Sequence, residues 1–576
     1  MFNPDLFNPD PAKVPFSRYG SYMAISGKPH NADDTSLYLK NIRGVKEGKY
    51  QFRFCFDGDY TVEFKPWRLS VRTRNGELHA YFRGSNELVL YGNMKNFRME
   101  YVNSGNDGYL IGVKKGRSLR AVDRSSKSFG FVYAHEGSVE LKSRWGVKPP
   151  PGERLFCAEA FFDVTGSENG FTLLYRVEEI EELWNQAEII NPEFDIELIK
   201  TEFKKWESAF PVYDDRYQEI SQIMIYILWS SAVFKKGWLT RDAVYMSKGV
   251  MTGVWSWDNC FNAMALAPYH YQTGMDQILV MLENQIENGK LPDRLDDRDL
   301  QAIYTKPPVY GWSIMHILDA GAVIDQKTLK FLRDCMVKML SWWERLRDDD
   351  HDGICQYNHG NECGWDNSTA FDMGVPVESP DLPALMLLQM KAIVRISRLI
   401  NDDAAAAEYE NRYNKLNKIF LEHCFDKNDL PVPVLVQTGE KIKCLSLLPY
   451  VSIILGKLLP QNIFEKMKTI IEDKNLFFAP YGLASEAVSS KKFARTNAYW
   501  RGPAWGPMAY QIADGLRQGG ADGLAREIAR RYCDAMNIQQ SGYENYDPIT
   551  GQGYDDPSYT WSASVCLLFL DRYFKK

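Results

Sequence analysis

Three things are scarce in this 576-residue chain: concentrated basic charge, long apolar runs, and cysteine at motif spacing. Lys and Arg number 68 against 75 Asp and Glu, a formal net charge of −7, with no long Lys/Arg block. Phosphate neutralisation needs a concentrated basic surface, so tight nucleic-acid binding is excluded. The longest apolar runs are too short to span a bilayer, so no membrane partner is expected. Ten cysteines are scattered without a CxxC pair. That argues against a structural zinc site and for reduced thiols acting as small hydrophobes. The eight histidines form no HExxH or HxH pattern, and no G-x-S-x-G elbow occurs. The stretch MFNPDLFNPDPAKVPF has neither the basic start nor the apolar run of a secretory leader, so a cytoplasmic location is expected.

What is present is globular composition, 45% hydrophobic and 25% charged, with 15 Trp and 32 Tyr. Planar aromatic faces fill cores, and they also stack on sugar rings. Up to residue 177 the chain reads as short strands rich in β-branched and aromatic residues, such as YQFRFCF, ELVLYG and GFTLLYRV. Turn pairs such as Asp57-Gly58 and Asn75-Gly76 separate them. This predicts an antiparallel β-sandwich over 1–177. The stretches VEEIEELWNQAEII and IELIKTEFKKWESAF carry apolar residues at helical spacing, which predicts a helical linker over 178–213. From 214 to 576 about a dozen helices are expected: 215–235, 258–272, 275–288, 308–322, 327–347, 381–400, 403–424, 445–457, 461–472, 504–518, 521–538 and 559–573. Such a series fits an (α/α)6 toroid, in which two rings of helices surround a pocket and the rim loops carry function.

Four segments of the helical half break the amphipathic pattern. In GVWSWDNCFNAMALA, Trp255 and Trp257 precede Asp258, which reads as a helix N-cap or a sugar-hydroxyl contact. NECGWDNSTAFD sets Glu362 and Asp366 around Trp365. NAYWRGPAWGPMAY places Tyr499, Trp500, Arg501 and Trp505 about a rigid Gly-Pro turn. SGYENYDPITGQGYDDPSY is a long loop with Tyr543 and Glu544, too aromatic to be disordered. Trp312, in the helix expected over 308–322, joins the aromatic set. Aromatic walls with a few polar groups suit a neutral hydroxylated ligand. Two carboxylic acids across such a pocket can cleave a glycosidic bond, one protonating the leaving oxygen and the other activating water or attacking the anomeric carbon. An apolar neighbour keeps an acid protonated near neutral pH, and Trp365 beside Asp366 suits that task.

The motifs YWRGPAW (499–505), GWDNS (364–368), WSWDNCF (255–261) and YENYDPITGQG (543–553) resemble glycoside hydrolase family 63 and its relatives. These include the family 37 trehalases and the mannosylglycerate and glucosylglycerate hydrolases. The resemblance covers about residues 215 to 576. It implies a sandwich ahead of an (α/α)6 barrel and an inverting mechanism without cofactor or metal. Asp366 falls on the general acid and Glu544 on the general base. Trp257 and Asp258 fall on positions that hold the cleaved sugar, and Trp365, Tyr499, Trp500, Arg501, Trp505, Trp312 and Tyr543 belong to the same pocket. The activity implied is that of an exo-acting α-glycosidase on a small carbohydrate, with an α-glucosidase as the first reading. A trehalase, an α-mannoside or mannosylglycerate-type hydrolase, or a disaccharide phosphorylase are the alternatives. An inverting pair needs its carboxyl groups about 6.5–9.5 Å apart to admit a water.

Other acids compete for both roles: Glu362 with Asp366, and Asp547, Asp555 and Asp556 with Glu544. Glu486 reads as an exposed acid or a sugar contact. Asp348, Asp350 and Asp352 open like a calcium loop, but His359 stands where the late Glu is expected, so a capped turn is the reading. The NST at 367–369 matches a glycosylation acceptor but falls inside the acid loop, and is discounted.

Overall fold

The computed structural model describes residues 3–4, 6–28, 33–44, 49–102, 108–124, 126–145, 157–180 and 190–576. Among them, the N-terminal strands form two sheets. One has the order Met23–Ser26, Tyr38–Asn41, Lys49–Cys55, Asn96–Tyr101, Cys157–Thr165, Ser138–Trp145. The other runs Tyr60–Lys65, Arg68–Thr73, Gly76–Arg83, Glu87–Gly92, Phe171–Glu178, Ser128–Glu136, Ser118–Asp123, Gly108–Lys114. Every pairing is antiparallel. Aromatic contacts join the sheets, with Phe52 against Tyr175 at 5.5 Å and Phe97 against Phe171 at 5.2 Å between ring centroids. The buried polar groups between them are paired: the Tyr175 hydroxyl donates to Gln51, whose amide donates to Asp123.

The helices are α1 (Pro192–Glu207), α2 (Gln218–Ser231), α3 (Asp258–Leu266), α4 (Tyr271–Leu282), α5 (Tyr310–Asp319), α6 (Gln326–Leu346), α7 (Gly360–Cys363), α8 (Asp381–Leu399), α9 (Asp403–His423), α10 (Gln461–Ile471), α11 (Gly506–Gln518), α12 (Asp522–Gln539) and α13 (Thr560–Tyr573), with a 3-10 segment at Leu448–Leu458. Most lie where the apolar spacing expects them; α4 begins at Tyr271, inside the helix expected over 258–272, and ends at Leu282, and α7 is a single turn in the acid loop, where no helix is expected. The first part of the expected linker helix, 181–189, lies outside the described residues, and α1 is its second part.

Contacts between elements sort these helices into two sets. The series α3, α5, α8, the Leu448–Leu458 segment, α11 and α13 touch in that order, and α13 returns to α3. Burial follows the same division. In α3 every residue is buried. In α9, against the outside of α8, only the stripe Ala406, Tyr409, Tyr413, Leu416 and Phe420 is buried. A helix apolar all round belongs inside, and one with a single stripe belongs outside. Asp325 and Asp402 cap α6 and α9 by accepting from the Thr328 and Ala405 amides.

The sheet half is sewn to the helical half. Tyr226 of α2 packs on Phe7 and Phe64, and its hydroxyl donates toward the Pro15 and Ser17 carbonyls. The buried Lys248 ammonium donates to Ser17 Oγ and to the carbonyls of Arg18, Ser21 and Ala232. Arg43 pairs with the buried Asp297.

Candidate active site

The four irregular segments converge, and short ladders hold them together. Ala504–Trp505 pairs with Asn545–Tyr546, which pairs in turn with Gly553–Tyr554. Thus YWRGPAW and the late loop form one small ribbon. Two-residue strands have no period to read, so the sequence pattern did not signal them. Asn367 joins the acid loop to the same unit: its side-chain oxygen accepts from the Trp500 amide at 2.8 Å, and its amide donates to the Ala498 carbonyl at 3.0 Å. Gly364 ends α7 at φ 78°, and a Cβ there would lie 2.5 Å from the Trp257 ring, so GWD needs its glycine.

The tryptophans pack as a block. Trp365 stacks on Trp500 at 4.5 Å, and Trp500 on Trp505 at 3.9 Å. Trp561 meets Trp257 and Trp505 edge-on and lies 4.6 Å from Tyr559. Trp500 and Trp505 are completely buried. They form the layer behind the wall rather than its surface, and Trp365 gives one indole face to Trp500. Tyr499 is only half-buried and meets Trp505 edge-on at 5.0 Å. Its φ of 54° is in the left-handed region, a strained setting for a tyrosine.

This tyrosine lies within electrostatic reach of both acids. Burial raises the Tyr499 phenol above its ordinary pKa, and the charges of Glu544, Asp366, Asp555 and Asp258 add to the shift, in that order. Burial likewise pushes the Asp366 carboxyl up. Lys306 and His359 oppose that shift, and Asp293 adds to it. Burial moves Glu544 well above the carboxylate range, with Asp555, Asp556 and Asp258 adding to the effect. Asp258 is buried at the first turn of α3 and is pushed up to about 7, chiefly by burial. It does not cap the helix: Trp257 holds that position, and Asp258 accepts from the Tyr559 hydroxyl at 3.1 Å.

The competing acids are otherwise engaged. Glu362 takes a two-pronged pair from Arg347 and the Asn358 amide. Asp547 accepts from Arg495, Thr550 and the Ile549 amide. Asp556 accepts from Ser247 and the Val250 and Met251 amides. Asp555 is exposed and accepts from Asn545 at 2.6 Å. Glu486 is neither exposed nor free: it is buried and accepts from Thr369 and Ser490. Arg501 points at protein, donating to the Asn367 carbonyl at 2.7 Å and to Asp372 at 2.6 Å. Trp312 is buried one ring away from Trp257, through Phe261, and its N–H donates to Asp514 at 2.9 Å. Tyr543 is half-buried, and its ring packs near Tyr546 and against the Gly553 backbone.

Lys306 was missed in the sequence. It is buried at the turn before α5 and donates to both oxygens of Asn361, with Asp293 at 3.1 Å. A charged residue directly before the Pro-Pro that leads into an apolar helix was the available signal. Away from this site, the carboxylates of Asp348, Asp350 and Asp352 lie within 4.8 Å of one another. Asp352 also faces His423 Nδ1 at 3.3 Å, while His423 Nε2 meets Glu378 at 2.6 Å. With both ring nitrogens against carboxylates, His423 stands as a bridge, and the Glu378 hydrogen bond raises its pKa against the effect of burial.

The family model for the mannosylglycerate hydrolase MGH1-like glycoside hydrolase domain matches residues 251–562, just over half of the chain. The chain belongs to this family. It is a hydrolase of glycosidic bonds, as the motifs implied. Mannosylglycerate hydrolase MGH1 from Selaginella moellendorffii is 22% identical over 405 residues, covering 56% of this chain and 81% of that protein. The crystal structure of a GH63 mannosylglycerate hydrolase from Thermus thermophilus in complex with glucose is similar at TM-score 0.54 and 19% identity, covering 60% of this chain and 99% of that one. A bacterial glucoamylase complexed with acarbose is similar over 100% of this chain and 96% of its own, at TM-score 0.62 and 10% identity. The glucoamylase match includes the sheet half.

Proposed function

We propose that this hydrolase is an inverting, exo-acting α-glycosidase of small carbohydrates, with Asp366 as general acid and Glu544 as general base. The observation that carries the reading is that Asn367 ties the Asp366 loop to the Ala498–Trp500 backbone while Ala504–Trp505 pairs with Asn545–Tyr546 beside Glu544, so both acids sit on one packed unit, and Glu362, Asp547 and Asp556 are occupied by protein donors. Asp366 gives its proton to the glycosidic oxygen. Glu544 takes a proton from the water that attacks the anomeric carbon on the opposite face. Asp258 and Tyr559 offer an acceptor and a donor for sugar hydroxyls, beside Trp257. Trp365, Trp500 and Trp505 support the wall from behind, and Arg501 braces the two loops.

The closed contact series of six inner elements, together with the solved neighbours, supports an (α/α)6 toroid over 214–576. The two face-to-face sheets support a β-sandwich over 1–177, joined by the 178–213 linker. A cytoplasmic setting, in which thiols stay reduced, is part of this reading; the nine cysteines whose side chains are described are free.

For the substrate, a terminal α-glucoside is the first reading, in keeping with the glucose held by the Thermus structure. A second reading, a mannosylglycerate-type α-mannoside, is favoured by the family model spanning all four motifs. The test is a panel of α-glucosides including trehalose, α-mannosides including mannosylglycerate, and α-galactosides. The released anomer is read by NMR in the first minutes. Release of the β-anomer is expected, and immediate α-anomer would overturn inversion.

A further inference from the structure

We propose that Lys40, on a strand of the sheet half, is a positioning residue for the base loop, holding the 247–251 turn and Asp556 so that Glu544 faces the pocket in its working charge state. The inference rests on the base role given to Glu544 above. Lys40 is fully buried in Tyr38–Asn41. Its ammonium donates to the Gly249 carbonyl at 3.1 Å and lies 4.7 Å from the Tyr50 ring centroid. Gly249 is packed on Asp556, since a Cβ there would come within 3.0 Å of Asp556 Oδ1. The other carboxylate oxygen accepts from Ser247 and from the Val250 and Met251 amides, both at 3.0 Å. Finally the Asp556 carbonyl accepts from the Glu544 amide at 2.8 Å. The chain of contacts therefore runs without a gap from a strand of the sheet half to the backbone of Glu544.

A methionine would fill the Lys40 space without the cost of burying a charge. Lys248 shows what a purely structural buried lysine looks like here, with four oxygen acceptors, all on the segments it ties together. Lys40 has one carbonyl, an aromatic ring and the charge of Asp556. Burial lowers its pKa against the opposing charge of Asp556, to about 8. The titratable groups facing Glu544 are Asp555, Asp556 and Asp258, with Tyr499 and Tyr559 responding to its charge. All three carboxylates oppose its ionisation. Lys40 offsets one of them.

The test is the pH profile of kcat/KM for Lys40→Met, with Lys40→Arg as the charge-retaining control. The base must be ionised, so an uncompensated Asp556 moves the acidic limb to higher pH. A shift of about half a unit or more is expected, with kcat reduced and KM nearly unchanged. Lys40→Arg keeps the limb in place. Asp556→Asn moves it the other way, and the double variant Lys40→Met with Asp556→Asn brings it back. If Lys40→Met does not fold, Lys40→Gln, which keeps a donor to Gly249 without the charge, reads the same limb. A neutral variant with a lowered Tm but an unmoved limb and unchanged kcat would make Lys40 structural only. Full turnover by Glu544→Gln would instead overturn the base assignment itself.

Discussion

Around Asp366, Lys306 and His359 oppose the upward shift while Asp293 adds to it; around Glu544, the charges of Asp555, Asp556 and Asp258 all add to it. Both carboxyls are pushed up by burial, yet one has the Lys306 ammonium to oppose the shift and the other faces anions alone. The family roles ask for a protonated Asp366 and an ionised Glu544. The charges of the site lean the other way, most strongly at Glu544. Asp258, itself pushed up to about 7, is one of the three anions that oppose ionisation of Glu544. The comparison teaches that the base loop needs countercharge more than the acid loop does. It also explains why a cation from the sheet half is placed behind it.

The largest effects come from removing either acid. Asp366→Asn and Glu544→Gln should each lower kcat on an unactivated glycoside by about 10²–10⁴, with sugar binding retained in calorimetry. Lys306→Met sharpens the acid side. Without its cation, Asp366 holds its proton to higher pH, so the alkaline limb of kcat/KM should move upward, whereas a downward shift would contradict the electrostatic account. Asn367→Ala frees the 498–500 backbone from the acid loop. It should lower kcat about tenfold and stability by about 1–2 kcal/mol, checked by kinetics and denaturant unfolding. Glu362→Gln breaks a buried ion pair with Arg347. It should destabilise by about 3 kcal/mol while leaving the limbs of the profile in place, and a collapse of kcat in a folded variant would return Glu362 to the acid role. Arg501→Gln should act least, through the loops it braces.

Much of this was legible in the chain. Single-stripe helices such as α6 and α9 announce themselves by period, α2 by its apolar run Ile223–Trp229, and strands such as Glu87–Gly92 by β-branched and aromatic runs. The pairing of Asp366 with Glu544 rested on motifs rather than period. Asp258 reads as a cap or a sugar contact; the structure removes the cap, because Trp257 holds that position and the Tyr559 hydroxyl donates to the Asp258 carboxylate. Glu486 reads as an exposed acid or a sugar contact, because nothing local reveals that Thr369 and Ser490 will meet it. Lys306 and Lys40 lie 60 and 504 residues from the acids they serve, a separation that no local window spans. Trp500 and Trp505 were rightly grouped, yet which layer of a stacked pair touches solvent is decided only by packing.

The most direct measurement follows turnover of an α-glycosyl fluoride matched to the preferred sugar, because fluoride leaves without a general acid. Asp366→Asn should hydrolyse it at close to the unmodified rate while failing on the natural linkage, and Glu544→Gln should fail on both. The reverse pattern would exchange the two roles, and full activity of either variant on the natural linkage would contradict the account.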